Sequence, residues 1–149
     1  MKYILIIAFM GLSAITYAQD NDNALAWYTN LEEAQKVSKK EKKPILLYFN
    51  GSDWCAPCKM LKKDFFDTSE FRDRSEEFVL VMIDYPRRID ILSEEQFAYN
   101  KRLVAKYNKA RTFPKILVLN NKGKPQDEIS GYSSLRDTSN HFAFLDRNK

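Results

Sequence analysis

Five consecutive apolar residues, Ile45-Leu46-Leu47-Tyr48-Phe49, constrain this chain more than any other stretch. An unbroken apolar run of strand length is what a strand buried on both faces requires. The neighbouring segments read as helices and further strands. Asn30 with Glu33 three residues on forms a capping box, and Leu31, Ala34 and Val37 follow at helical spacing until Pro44. After the apolar run come a Gly51-Ser52-Asp53 turn and a helix with Cys58, Leu61 and Phe65 on one face. Pro57 falls in its first turn, where a missing N–H costs nothing. Residues 78–83 form a second apolar strand. Ser93 with Gln96 caps another helix, whose buried side carries Phe97, Leu103, Val104 and Tyr107. Residues 116–119 are a third strand, and Asn121-Lys122-Gly123-Lys124 marks a hairpin into a short strand around Ile129. Residues 134–146 carry a weaker helical pattern through Leu135, Phe142 and Leu145. Strands alternating with helices predict an α/β fold, and the closing hairpin adds an antiparallel edge.

A length of 149 residues suits one domain, and no repeat or low-complexity linker interrupts it. That domain is expected over residues 19–149. Residues 1–18 read as a secretory signal peptide: Lys2, the apolar core ILIIAFM, then Thr16-Tyr17-Ala18 with small residues at −3 and −1 before Gln19. An uncleaved anchor and a buried N-terminal helix are the other readings. The apolar run is shorter than the roughly 20 residues of a membrane span, and polar Gln19-Asp20-Asn21-Asp22 follows it. No cysteine stands at the cleavage point to take a lipid. The mature chain is therefore expected to be periplasmic or secreted, with no stable membrane insertion. The net charge of +4 over the full sequence is too mild for nucleic-acid binding. The basic run Lys39-Lys40-Glu41-Lys42-Lys43 reads as a solvated helix end.

Cys55 and Cys58 are the only cysteines, and His141 is the only histidine. This excludes a disulfide-stapled scaffold and a closed Cys/His zinc site. The pair stands where a strand runs into a helix. A thiolate attacks disulfides, and the N–H groups of a helix N-terminus stabilise it. A lowering of about 1.5 pKa units corresponds to about 2 kcal/mol, near the upper limit for a helix end. A c-type haem attachment would need histidine where Lys59 stands. A structural disulfide stays open for an exported chain, although so short a loop removes little chain entropy.

Trp54-Cys55-Ala56-Pro57-Cys58-Lys59 after a buried strand resembles the active site of the thioredoxin superfamily. Arg111-Thr112-Phe113-Pro114, leading into the strand that begins at Lys115, is similar to that family's cis-proline loop. The resemblance covers about residues 44–131 and implies a thioredoxin fold, a central mixed sheet flanked by helices. More narrowly, residues 49–55 and 84–88 resemble exported thioredoxin-like proteins of Bacteroidetes-type bacteria. Trp27 and the Glu-rich helix after it resemble the C-terminal domain of the periplasmic thiol:disulfide interchange protein. The spacing from Cys58 to Pro114 exceeds that of small thioredoxins, and the extra length is placed between Asp84 and Ser93.

The family then implies roles. Cys55 is the exposed nucleophile and Cys58 the buried resolving thiol, with Ala56 and Pro57 shaping the site between them. Trp54 shields it, and Phe113 with Pro114 forms the substrate-facing loop. Without the resemblance, Trp54 also reads as a core aromatic and Pro114 as a trans proline opening an edge strand. Strong oxidants of this class carry a histidine between the cysteines. Here Ala56-Pro57 stands there, and His141 reads as an ordinary surface or helix residue, so a reductant is expected more than an oxidant. One position departs from the family, because its buried acid falls on Tyr48. If Tyr48 faces the site, the Cys58 proton must leave to water or substrate. Asp53 is either a substitute acid or an exposed turn aspartate. The resemblance implies no cofactor beyond the Cys55–Cys58 disulfide, protein disulfide substrates and a membrane thiol electron donor. An oxidase or isomerase of secretory folding, and a binding or chaperone module with an idle dithiol, are the alternatives. The loop of residues 85–92 either touches a partner or is solvated.

Overall fold

The computed structural model describes residues 25–149, so the expected signal peptide lies outside the described residues. The elements run α1 (Leu31–Glu41), β1 (Ile45–Asn50), α2 (Ala56–Leu61), α3 (Ser69–Ser75), β2 (Val79–Asp84), α4 (Glu94–Tyr107), β3 (Lys115–Leu119), β4 (Pro125–Ser130) and α5 (Ser139–Asp146). The strands form one mixed sheet in the order β2-β1-β3-β4. β1 pairs with β2 in parallel and with β3 antiparallel, and the β3–β4 hairpin closes the far edge.

The apolar run behaves as its composition demands. Alternate residues of a strand point to opposite faces. Ile45, Leu47 and Phe49 pack with Leu31 and Ala34 of α1 and Leu103 and Val104 of α4. Leu46 and Tyr48 pack on the other face with Leu61, Phe65, Phe71 and Phe144. None of the five apolar residues of β1 is more than 2% exposed. Both N-cap bonds form, Asn30 Oδ1 accepting the Glu33 N–H at 2.9 Å and Ser93 Oγ that of Gln96 at 3.2 Å, but the return bond of a full capping box does not: the Gln96 side chain donates instead to Thr29 O and Asn100 Oδ1. Lys42 ends α1 in the left-handed region, at φ 58.

Three local expectations need correction. The helix after the dithiol is not continuous. α2 gives way to a π-helical turn over Lys62–Phe66, closed by the Asp67 N–H on Lys62 O at 2.9 Å. A regular helix sets adjacent side chains about 100° apart, whereas here both Phe65 and Phe66 are buried, and the wider turn admits both rings. The chain then restarts as α3, capped by Thr68 Oγ1 on the Phe71 N–H. At the C-terminus the helix begins at Ser139 rather than at residue 134, and Leu135 is 86% exposed. His141 lies in a helix, α5, as one of its two readings has it, but not at the surface. It is 6% exposed, with its ring 5.5 Å from those of Phe65 and Tyr132. No helix among the described residues is long and apolar enough to cross a membrane.

Candidate active site

β1 and β2 end side by side, with Asn50 opposite Asp84. Beyond Asn50 the chain turns at Gly51, whose carbonyl accepts the Cys55 N–H at 2.8 Å. Space rather than backbone conformation demands glycine here: a Cβ would lie 2.6 Å from Trp54 Cε2. The Asp84 carboxylate accepts the Ser52 N–H at 2.8 Å and the Ser52 O–H at 2.6 Å, fixing the turn to β2.

Cys55 is the N-cap of α2, and its Sγ accepts the Cys58 N–H at 3.2 Å. The two sulfurs are bonded, with Cα atoms 5.2 Å apart. Pro57 occupies the first turn and Ala56 is exposed. The expected contrast between an exposed Cys55 and a buried Cys58 is absent, since they are 2% and 1% exposed. As the N-cap, Cys55 turns its sulfur inward to the helix end and to Cys58.

Trp54 belongs to neither core cluster. Its Nε1–H donates to Tyr85 O at 2.8 Å, and its ring meets Phe113 edge-on at 5.2 Å. The Arg87 guanidinium lies over the indole at 4.7 Å. Pro114 is buried and follows Phe113 through a cis peptide bond. The fully buried Asn108 fastens this loop: Nδ2 donates to Thr112 O at 2.7 Å, and Oδ1 accepts the Thr112 N–H at 3.1 Å. Thus Trp54, next in sequence to Cys55, meets Phe113, the residue before the cis Pro114.

The two acid questions resolve differently. Asp53 accepts the N–H groups of Arg87 and Arg88 at 3.0 and 2.9 Å, latching the loop of residues 85–92 to the dithiol turn. Desolvation pushes its carboxyl up, but those backbone N–H groups outweigh it and hold the pKa below the ordinary value. It is an ionised latch. Tyr48 lines a cavity of about 560 Å³ together with Cys58, Asn50, Ser52 and Lys59. Its hydroxyl donates to Asn50 Oδ1 at 3.3 Å, and burial, with Asp84 adding, pushes its pKa far above the usual value. A phenol held protonated takes no proton from Cys58, and the cavity that Cys58 helps to line is large enough to hold water.

Sequence reasoning missed the Ser52–Asp84 anchor, the Asn108 clasp and the placement of Arg87 on Trp54. Asn108 alone left a local signal, a polar residue just past the last apolar position of α4. Among the described residues no cluster of three or more His, Cys, Asp or Glu could hold a metal ion.

A family model described as thioredoxin-like matches residues 26–121. The chain is 36% identical over 93 residues to "Disulfide bond reductase DsbH" of Chlamydia pneumoniae, covering 62% of this chain and 55% of that protein. It is 32% identical over 78 residues to "Thioredoxin-related protein DsbJ" of the same organism, covering 51% of this chain and 22% of the relative. The chain thus spans about half, or less, of the curated relatives it matches. Among solved structures, "DsbH Oxidoreductase" superposes with a TM-score of 0.68 at 30% identity, covering 82% of this chain and 85% of the other. The oxidised C-terminal domain of DsbD from Neisseria meningitidis gives a TM-score of 0.56 at 21% identity, covering 83% and 100%. That second likeness is one of fold.

Proposed function

The chain belongs to the thioredoxin-like family and has the thioredoxin fold, and on that footing we propose that it is an exported thiol–disulfide oxidoreductase working in the reducing direction. The observation that carries the reading is the Cys58 N–H on Cys55 Sγ at the start of α2. A backbone donor and a helix end both favour a thiolate there over a thiol. The Cys55 thiolate attacks one sulfur of a protein disulfide, forming a mixed disulfide and expelling the other sulfur as a thiolate that takes a proton from water. Cys58 loses its proton to water in the adjoining cavity and attacks Cys55 Sγ. The second substrate sulfur leaves as a thiolate, which takes back a proton from water, and the Cys55–Cys58 disulfide closes. Two electrons pass to the substrate, and an external dithiol must return them. A membrane thiol carrier suits that role in an exported protein. Trp54, Ala56, Pro57, Phe113 and Pro114 shape the substrate surface in this reading.

The reducing direction draws on two supports. No histidine stands between the cysteines to stabilise the thiolate further, and a 36% identical relative is titled a disulfide bond reductase. The test is the reduction potential of the pair in defined thiol buffers. A value near −270 mV is expected, and one near −120 mV refutes the reducing direction. Failure to exchange refutes the enzyme reading altogether.

A further inference from the structure

The loop of residues 85–92 exposes Ile89 at 95% and Ile91 at 38%, next to the dithiol rather than remote from it. It is fastened there. Asp53 holds the N–H groups of Arg87 and Arg88, and Trp54 Nε1–H holds Tyr85 O. Beneath it the Tyr85 ring lies parallel to Phe97 at 5.3 Å and to Phe113 at 6.2 Å. Ile89 is therefore presented one residue beyond a fixed point, on an aromatic base shared with the substrate loop.

Residues 51–59, 85–92 and 111–114 carry four cations, Lys59, Arg87, Arg88 and Arg111, against two carboxylates, Asp53 and Asp90. Arg88 is paired with Asp90, but Arg87, Lys59 and Arg111 have no carboxylate partner among the described residues. Asp53, the one carboxylate between Gly51 and Lys59, accepts the backbone N–H groups of Arg87 and Arg88 and feels the Arg87 charge. A net excess of exposed cations draws an acidic surface and disfavours a basic one. An aliphatic side chain this exposed on a fixed loop suits contact with a partner's apolar residue.

Resting on the function proposed above, we propose that this loop is the docking rim of the dithiol, and that it selects protein disulfides flanked by acidic side chains. Arg87 supplies the charge beside the attacked sulfur and Ile89 the apolar contact. Asp53 acts through the loop as a positioning residue.

Two synthetic peptides test this, each closed by one disulfide and identical except for Glu or Lys beside both cysteines. The pre-reduced protein is mixed with each in single turnover, with bis(2-hydroxyethyl) disulfide as a small uncharged reference. The Glu peptide is expected to react about tenfold faster at low salt, the ratio approaching one in 1 M NaCl. Arg87→Gln and, separately, Ile89→Asp should each lower that ratio severalfold. Reading the ratio within each variant removes any general change in dithiol reactivity, and a urea midpoint for each confirms folding. Equal rates, faster reaction of the Lys peptide, or a ratio unmoved in both variants overturns the docking proposal alone if the reference disulfide is still reduced. If the reduced protein leaves all three disulfides intact, the enzymatic reading fails and the docking proposal falls with it.

Discussion

Gly51→Ala sets two effects of opposite sign against each other at the dithiol turn. Gly51 does not occupy the left-handed region, so alanine fits its backbone, and the stiffer unfolded chain favours folding by about 0.4–1 kcal/mol. Against this, the new Cβ would stand 2.6 Å from Trp54 Cε2 and 2.8 Å from Cζ2 and Nε1. Relief to 3.4 Å requires the indole to retreat by roughly 0.8 Å. That retreat strains the Nε1–H bond to Tyr85 O, whose loss costs about 0.5–1.5 kcal/mol. It also disturbs the edge contact with Phe113, worth a similar amount, and the Arg87 cation–π contact, worth about 0.5–1 kcal/mol. Losing most of these outweighs the entropic gain, so a net destabilisation of about 1–2 kcal/mol is expected. The decisive assay is a four-variant cycle with Trp54→Ala, measured by urea unfolding with the disulfide intact. Without the indole the clash is gone, and Gly51→Ala should stabilise by about 0.4–1 kcal/mol. An equal cost in both backgrounds, or a neutral effect in the wild type, refutes the steric argument.

Cys58→Ser should accumulate a mixed disulfide between Cys55 and protein substrates, visible as adducts on non-reducing gels and absent from the Cys55→Ser/Cys58→Ser double variant. Asn108→Ala removes the buried partner of both Thr112 backbone groups, so a loss of about 2–3 kcal/mol in urea unfolding is expected, with disulfide reduction slowed through the loosened loop. For His141, burial lowers the pKa below its ordinary 6.5, so the unfolded chain takes the proton first as pH falls. Its contribution to stability is therefore complete above about pH 6.5 and declines as pH drops below that value. Wild type should lose more stability between pH 7 and 5 than His141→Leu, and parallel curves for the two proteins would count against this.

What the sequence made legible is what neighbouring residues decide. The caps at Asn30 and Ser93, the apolar β1 run and the placement of Cys55 and Cys58 at a helix start all rest on contacts within a few positions. The cis Pro114 was legible only through the likeness of residues 111–114 to the family's loop, since position before a strand alone suggests a trans proline. The unread features depend on distant partners. Asp53 meets the Arg87 and Arg88 amides 34 and 35 residues away, and Ser52 meets Asp84 across 32. The π-helical turn follows from fitting Phe65 and Phe66 among Trp27, Phe71 and Phe142, a packing choice no local periodicity encodes. His141 looked peripheral because the residues burying it, Phe65 and Tyr132, lie in other segments.

The mixed pairing of β1 has a corollary. Because β2 runs parallel to it and β3 antiparallel, the exit of β2 and the entrance of β3 open on the same border of the sheet as the dithiol. Insertions at those two openings leave every ladder register and both hydrophobic layers intact, since neither opening lies within a paired segment. Two loops beside the dithiol can therefore be lengthened or recharged independently of the core. Cys55 and Cys58 stay at the start of α2, untouched by either change.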